Sequence, residues 1–132
     1  MKRTRILIAD DHTMICAGFQ KLLEPEYEVV GSVGDSRASL KAAAESKPDL
    51  VLVDVGTPLL NGLDAGRELK KLMPAVKLIF LTMNPDPDVA SEALRIGASG
   101  YLLKNSQQDE LGRCFGLCDQ GPCHHGPGGR DP

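Results

Sequence analysis

Five side chains in this sequence stand where a short apolar run stops. Asp10 and Asp11 follow Arg5–Ala9, Asp54 follows Leu50–Val53, Thr82 follows Val76–Leu81, and Lys104 follows Gly100–Leu103. Three carboxylates brought together repel one another and stay ionised cheaply only around a cation. Oxygen donors favour a hard ion, and a small set that leaves room for water favours Mg²⁺ over Ca²⁺. Lys104 cannot join a metal, but it can bind an anion that the metal also binds. A tetrahedral phosphoryl group meets both demands.

The chemistry requires one edge of one fold to collect all five groups. The sequence predicts strands at Arg5–Ala9, Tyr27–Val33, Leu50–Val53, Val76–Leu81 and Gly100–Leu103, with the third and fourth solidly apolar enough to be buried on both faces. Helical patterns lie between them. Ile15, Phe19, Leu22 and Leu23 share a face, as do Leu63, Leu69, Leu72 and Met73, and then Val89, Ala93 and Leu94. Ser36–Lys47 is alanine-rich and stops before Pro48, while Gly97 is placed to end the fourth helix. Such alternation predicts an α/β fold with a doubly wound, five-stranded parallel sheet. The common strand order for that class is 2-1-3-4-5, with the ligand crevice at the carboxyl edge where strands one and three diverge.

Taken singly, each residue has a plainer explanation. Asp11 is placed to cap a helix starting near Thr13, Thr82 is an ordinary strand residue, and Lys104 an ordinary surface lysine. Coincidence of all five on one edge is what strains the plain explanation.

Composition narrows the classes further. The 132 residues are 42% hydrophobic and 25% charged, with a formal net charge of −3, as in an ordinary single globular domain. No basic footprint marks nucleic-acid binding, so this chain alone is expected not to bind DNA. No apolar run approaches a membrane span, and the one after Met1–Arg5 is too short for a signal peptide, which places the chain in the cytoplasm. Cys16, Cys114, Cys118 and Cys123 read as reduced thiols.

The C-terminal fifth is the least regular part. Leu111, Cys114, Phe115 and Cys118 keep helical spacing, but Gly112 and Gly116 each weaken a helix by about 1 kcal/mol relative to alanine. Seven of the fourteen residues 119–132 are Gly or Pro, a composition that predicts disorder. The expected organisation is one domain over 1–118 and a disordered tail over 119–132, with no effector domain present.

Four strings carry a family resemblance: Ile6-Leu-Ile-Ala-Asp-Asp-His12, Pro48-Asp-Leu-Val-Leu-Val-Asp54, Leu78-Ile-Phe-Leu-Thr82 and Gly97-Ala-Ser-Gly-Tyr-Leu-Leu-Lys104. In order and spacing they resemble the CheY-like receiver domain of two-component response regulators, over about residues 4–115. The first and last strings resemble the subgroup whose members carry a LuxR-type helix-turn-helix. The resemblance implies that Asp54 accepts a phosphoryl group from a sensor histidine kinase or a small phosphodonor. It implies Mg²⁺ held by Asp10, Asp11, Asp54 and the Gly56 carbonyl, with Lys104 and Thr82 on phosphoryl oxygens. Tyr101 would be the aromatic switch that turns inward as Thr82 moves. The face of the fourth helix, fifth strand and fifth helix is the implied homodimer surface, and transcription regulation the implied output. The chain is then a signalling receiver and no enzyme beyond its own phosphorylation and dephosphorylation. Departures are Thr57, where the family usually has Met, and the sequence after Leu111.

Three other classes fit less well. A haloacid-dehalogenase-type phosphatase needs an acid two residues after its nucleophile, where this chain has Gly56. A zinc-binding tail built from Cys114, Cys118, Cys123, His124 and His125 lacks a paired CxxC. A flavodoxin-like binding module gives no reason for Asp10, Asp11 and Lys104 together.

Overall fold

The computed structural model describes residues 4–24, 27–55, 62–82 and 86–103. Strands and helices alternate: β1 (Arg5–Ala9), α1 (Thr13–Leu23), β2 (Glu28–Val33), α2 (Ser36–Ser46), β3 (Leu50–Asp54), α3 (Gly62–Leu72), β4 (Lys77–Thr82), α4 (Pro87–Ile96) and β5 (Gly100–Leu103). The strands form one parallel sheet in the order β2-β1-β3-β4-β5, the order expected for the class. The expected fifth helix, Gly56, Lys104 and residues 119–132 lie outside the described residues.

Side chains along each strand alternate between two cores, as the two-residue period of a strand requires. Ile6, Ile8, Leu50, Leu52, Ile79, Leu81 and Leu102 face the side of the sheet where Phe19 and Leu23 of α1 pack. Leu7, Val51, Val53, Leu78, Phe80 and Tyr101 face the other, against Ala43, Leu69 and Ala93 of α2, α3 and α4. All five β3 residues are buried, which explains why this segment reads as an uninterrupted apolar run until Asp54. Strand β2 is an edge, and its register slips opposite Ile6 and Leu7, where Ile6 pairs with Val29 and Leu7 with Gly31.

Local chemistry sets the helix ends. The Asp35 carboxylate caps α2 by accepting from the Ala38 N–H at 2.7 Å. Asp86 caps α4 from the Asp88 N–H at 2.9 Å, and Pro87 follows in the first turn, where a missing N–H costs nothing. Gly97 ends α4 in the left-handed region at φ 98°, as its position predicted. Lys47 closes α2 with a φ of 50° although it carries a Cβ, and the Arg5 guanidinium donates to the Ser46 and Lys47 carbonyls beside it.

Two expected core residues face solvent. Leu72 and Leu94 are exposed. Ala65 and Leu69, with Met73 just past the last turn, recur every four residues and set the inward face of α3, leaving Leu72 to one side; on α4, Val89, Ala93 and Ile96 do the same to Leu94. The two helices are joined across their outer faces by Arg67, which donates to both Asp64 and Glu92. Its guanidinium pKa lies above the ordinary arginine value, first because of the hydrogen bond to Glu92.

Helix α3 approaches the sheet closely because Gly66 has no side chain. A Cβ there would stand 2.4 Å from Cζ of Phe80 and 3.3 Å from Leu78, both fully buried. Replacing Gly66 with valine is expected to cost about 1–3 kcal/mol through overpacking. Gly34→Ala, whose Cβ meets nothing within 4 Å, should stay within about 0.5 kcal/mol of the parent. Urea unfolding of both variants checks this, and equal midpoints would refute the packing argument.

Candidate functional site

The sheet registers bring the acidic residues together. Ala9 pairs with Val53, so Asp10 and Asp54 are the next residues along neighbouring strands. The Asp10 N–H donates to the Val33 carbonyl at 2.9 Å, and the Val55 N–H to the Leu81 carbonyl at 2.9 Å, which ties both chain ends to the sheet. Asp10 is 2% exposed and Asp54 4%, so both carboxylates are held in the crevice. The side chain of Asp11 is 42% exposed and lies at the rim.

One donor oxygen from each of Asp10, Asp11 and Asp54 and one nitrogen of His12 all lie within 4.8 Å of one another. His12 is the residue that reasoning from the sequence missed. Its Nδ1 lies 2.9 Å from Oδ1 of Asp10, 3.3 Å from Oδ1 of Asp11 and 3.7 Å from Oδ2 of Asp54. The signal was present in the string Asp-Asp-His, but no strand-end argument reaches a residue three positions past β1. The helix-cap explanation of Asp11 fails, because the N-cap of α1 is His12, whose own side chain makes no capping hydrogen bond.

Thr82, half-buried, is the last residue of β4; Asp54 pairs with Leu81, so the threonine stands one step beyond it on the adjacent strand. Tyr101 on β5 pairs with Phe80 and is buried in the core beneath α4. Its hydroxyl accepts a hydrogen bond from the Asp86 N–H at 3.1 Å, linking β5 to the capping residue of α4. Asp10, Asp11, Asp54 and Thr82 therefore share the carboxyl edge, while Tyr101 sits lower in the sheet. Among the described residues no helix is long and apolar enough to cross a membrane.

A 2-1-3-4-5 parallel sheet with paired carboxylates at the divergence of β1 and β3 defines the doubly wound, CheY-like class, whose ligands bind at that edge. The chain belongs to the response regulator receiver domain family, whose model matches residues 6–114. It is 34% identical over 127 residues to the transcriptional regulatory protein DegU of Brevibacillus brevis, covering 95% of this chain and 54% of that protein. It superposes on a LuxR-family two-component response regulator from Aurantimonas sp. SI85-9A1 with a TM-score of 0.86 and 28% identity, covering 96% and 92% of the two chains. The isolated REC domain of RcsB from Salmonella enterica serovar Typhimurium, solved with the phosphomimetic BeF3⁻, gives a TM-score of 0.84 and 25% identity over 94% of each chain. The chain spans about half the length of the curated relatives it matches.

Three like charges in so small a space destabilise the fold without a cation. Asp11→Ala should therefore raise the melting temperature in chelator. The gain should be modest, roughly 0.5–1 kcal/mol, because Asp11 lies at the rim and its charge is screened. A melting temperature lowered by the substitution would show that Asp11 holds the edge together rather than straining it.

Proposed function

We propose that this domain receives a phosphoryl group on Asp54, with a bound Mg²⁺, and passes the change to an output. The observation that supports this most is the convergence of buried Asp54 with Asp10 and Asp11 at the carboxyl edge of the sheet. Their donor set is hard oxygen in a small space, which suits Mg²⁺. Asp10, Asp11, Asp54 and the Gly56 carbonyl would hold the ion. When bound, it supplies positive charge to the oxygens of the transferring group.

Asp54 acts as the nucleophile: a carboxylate oxygen attacks phosphorus in line, the bond to the donor's leaving group breaks, and an acyl phosphate results. Burial of the Asp54 side chain limits the water that reaches the product. Lys104 pairs with one phosphoryl oxygen, and the Thr82 hydroxyl donates to another. Tyr101 then reports the shift of Thr82 to the face of α4 and β5, a two-state equilibrium biased by contacts made only with the modified site. The hydrogen bond from Asp86 to Tyr101 gives that equilibrium a route to the start of α4.

The donor would be a sensor histidine kinase or a small acyl phosphate, in the cytoplasm. Transcription regulation is the output suggested by relatives such as DegU. Pairing of two copies would use the face of α4, β5 and the helix that follows, and DNA binding would need a part other than this domain.

Acetyl phosphate with Mg²⁺ should label the protein to one phosphoryl group per chain, and chelator should prevent it. Asp54→Asn should remove the label while leaving the unfolding midpoint nearly unchanged. Stoichiometric acyl phosphate on that variant would assign the wrong nucleophile. Residues 119–132 are proposed to be dispensable: half are Gly or Pro, and too little apolar surface is available to offset the entropy of ordering them. Truncation after Cys118 should leave labelling and melting temperature unchanged, whereas truncation before Leu111 should cause aggregation. Unfolding caused by the shorter cut alone would make the tail part of the domain.

A further inference from the structure

The chain is acidic overall, with a formal net charge of −3, yet one groove on its surface is lined mainly by cations. It lies between α3 and α4, has a volume of about 280 Å³, and is lined by Arg67, Lys70, Lys71, Glu92, Arg95 and Ile96. Four positive side chains there stand beside one carboxylate. Lys70, Lys71, Arg95 and Ile96 belong to the last turns of helices that begin at the carboxyl edge of the sheet. The groove is therefore on the side of the amino edge, and whatever fills it leaves Asp54 uncovered.

The cations are of two kinds. Arg67 and Lys70 are fixed: Arg67 donates to both Asp64 and Glu92, and the Lys70 ammonium donates to the Val76 carbonyl at 2.7 Å. Their methylene stems and the half-buried Ile96 give the groove an apolar floor. Lys71 and Arg95 are 74% and 77% exposed, and each pairs along its own helix, with Glu68 at 3.4 Å and Glu92 at 3.7 Å. Surface pairs of this kind contribute little, so an incoming carboxylate can take the place of either partner at small cost. The basic track continues past the end of α3. The Lys70 ammonium also reaches the Pro74 carbonyl at 3.4 Å, and Pro74 and Val76 line a second hollow beside Lys47 and Lys77.

We infer that this groove docks an acidic segment of a partner protein, one in which carboxylates alternate with apolar side chains. The carboxylates pair with Lys71 and Arg95 at the rim, while an apolar side chain covers Ile96 on the floor, a match of charge and of polarity together. A nucleic acid or an anionic bilayer fits less well. Asp64, Glu68 and Glu92 stand among the cations, and closely spaced phosphates cannot avoid them. A planar membrane also cannot enter a concavity between two helices.

The test uses the full chain and a short fluorescent peptide of repeated Glu-Glu-Leu, titrated by fluorescence anisotropy at low salt. Wild type should bind it, and should bind a matched Gln-Gln-Leu peptide about tenfold more weakly or worse. Lys71→Glu/Arg95→Glu should lose about tenfold or more in affinity for the Glu-Glu-Leu peptide. Lys71→Gln/Arg95→Gln, which adds no new repulsion beside Glu68 and Glu92, should lose affinity in the same direction. Lys21→Glu/Lys41→Glu makes the same change in net charge as the first variant, at exposed positions of α1 and α2 outside the groove. It should lose no more than about twofold, because charges far from the groove are screened. Melting temperatures near that of wild type establish that the variants fold. Equal losses in the groove and control variants overturn the inference, because net charge alone then explains the binding. Absence of peptide binding by wild type overturns it as well. So does tighter binding to an oligothymidine or to phosphatidylserine vesicles that Lys71→Glu/Arg95→Glu abolishes, which would make the groove a phosphate-binding surface.

Discussion

Charge repulsion at the carboxyl edge is the constraint around which this domain is organised. Asp10 and Asp54 are buried side by side, with Asp11 at the rim, and their donor oxygens crowd into a few ångströms. Buried ionised carboxylates cost several kcal/mol each unless another charge or hydrogen bonds offset them. The backbone cannot relax by moving one strand away, because β1 and β3 are paired along four residues immediately before the cluster. The strain is therefore held by the sheet, and a cation at that edge would relieve it. Nδ1 of His12 lies 2.9 Å from an oxygen of Asp10, 3.3 Å from one of Asp11 and 3.7 Å from one of Asp54.

The rest of the structure supplies the rigidity that this arrangement needs. Two cores, one on each face of the sheet, lock the side-chain alternation of β1, β3 and β4, so a strand that slipped by one residue would carry every side chain into the opposite core. Gly66 lets α3 lie directly on Phe80 and Leu78. Arg67 ties α3 to α4 from outside, at Asp64 and Glu92. Such surface pairs contribute little stability individually.

Tyr101 joins the sheet to the start of α4. A buried tyrosine normally finds a partner for its hydroxyl, and here the partner is a backbone amide at the beginning of α4. Movement of the tyrosine away would take this partner from the amide, whose residue also caps the helix through its carboxylate. A change near Thr82, four residues earlier in the chain, thus has a covalent and a hydrogen-bonded path to the same helix end.

Much of this was legible in the sequence. The five apolar runs, the glycine after α4 and the alternation of periods determine an α/β domain, since each is a local property of the chain. The resemblance strings located Asp10, Asp11, Asp54, Thr82 and Tyr101, which all stand in described strands or directly after one. Helix faces were read less well: Leu72 and Leu94 fit a helical period, yet which side of a helix turns inward depends on what it packs against. The place of His12 beside the three aspartates was not legible. Its backbone extends from β1 at a φ of −90°, and only the three-dimensional convergence of β1 with β3 puts Asp54 within reach of its ring. Local periodicity determined the elements, whereas the meeting of side chains distant along the chain was decided by tertiary structure, because registers between strands set distances that no spacing encodes.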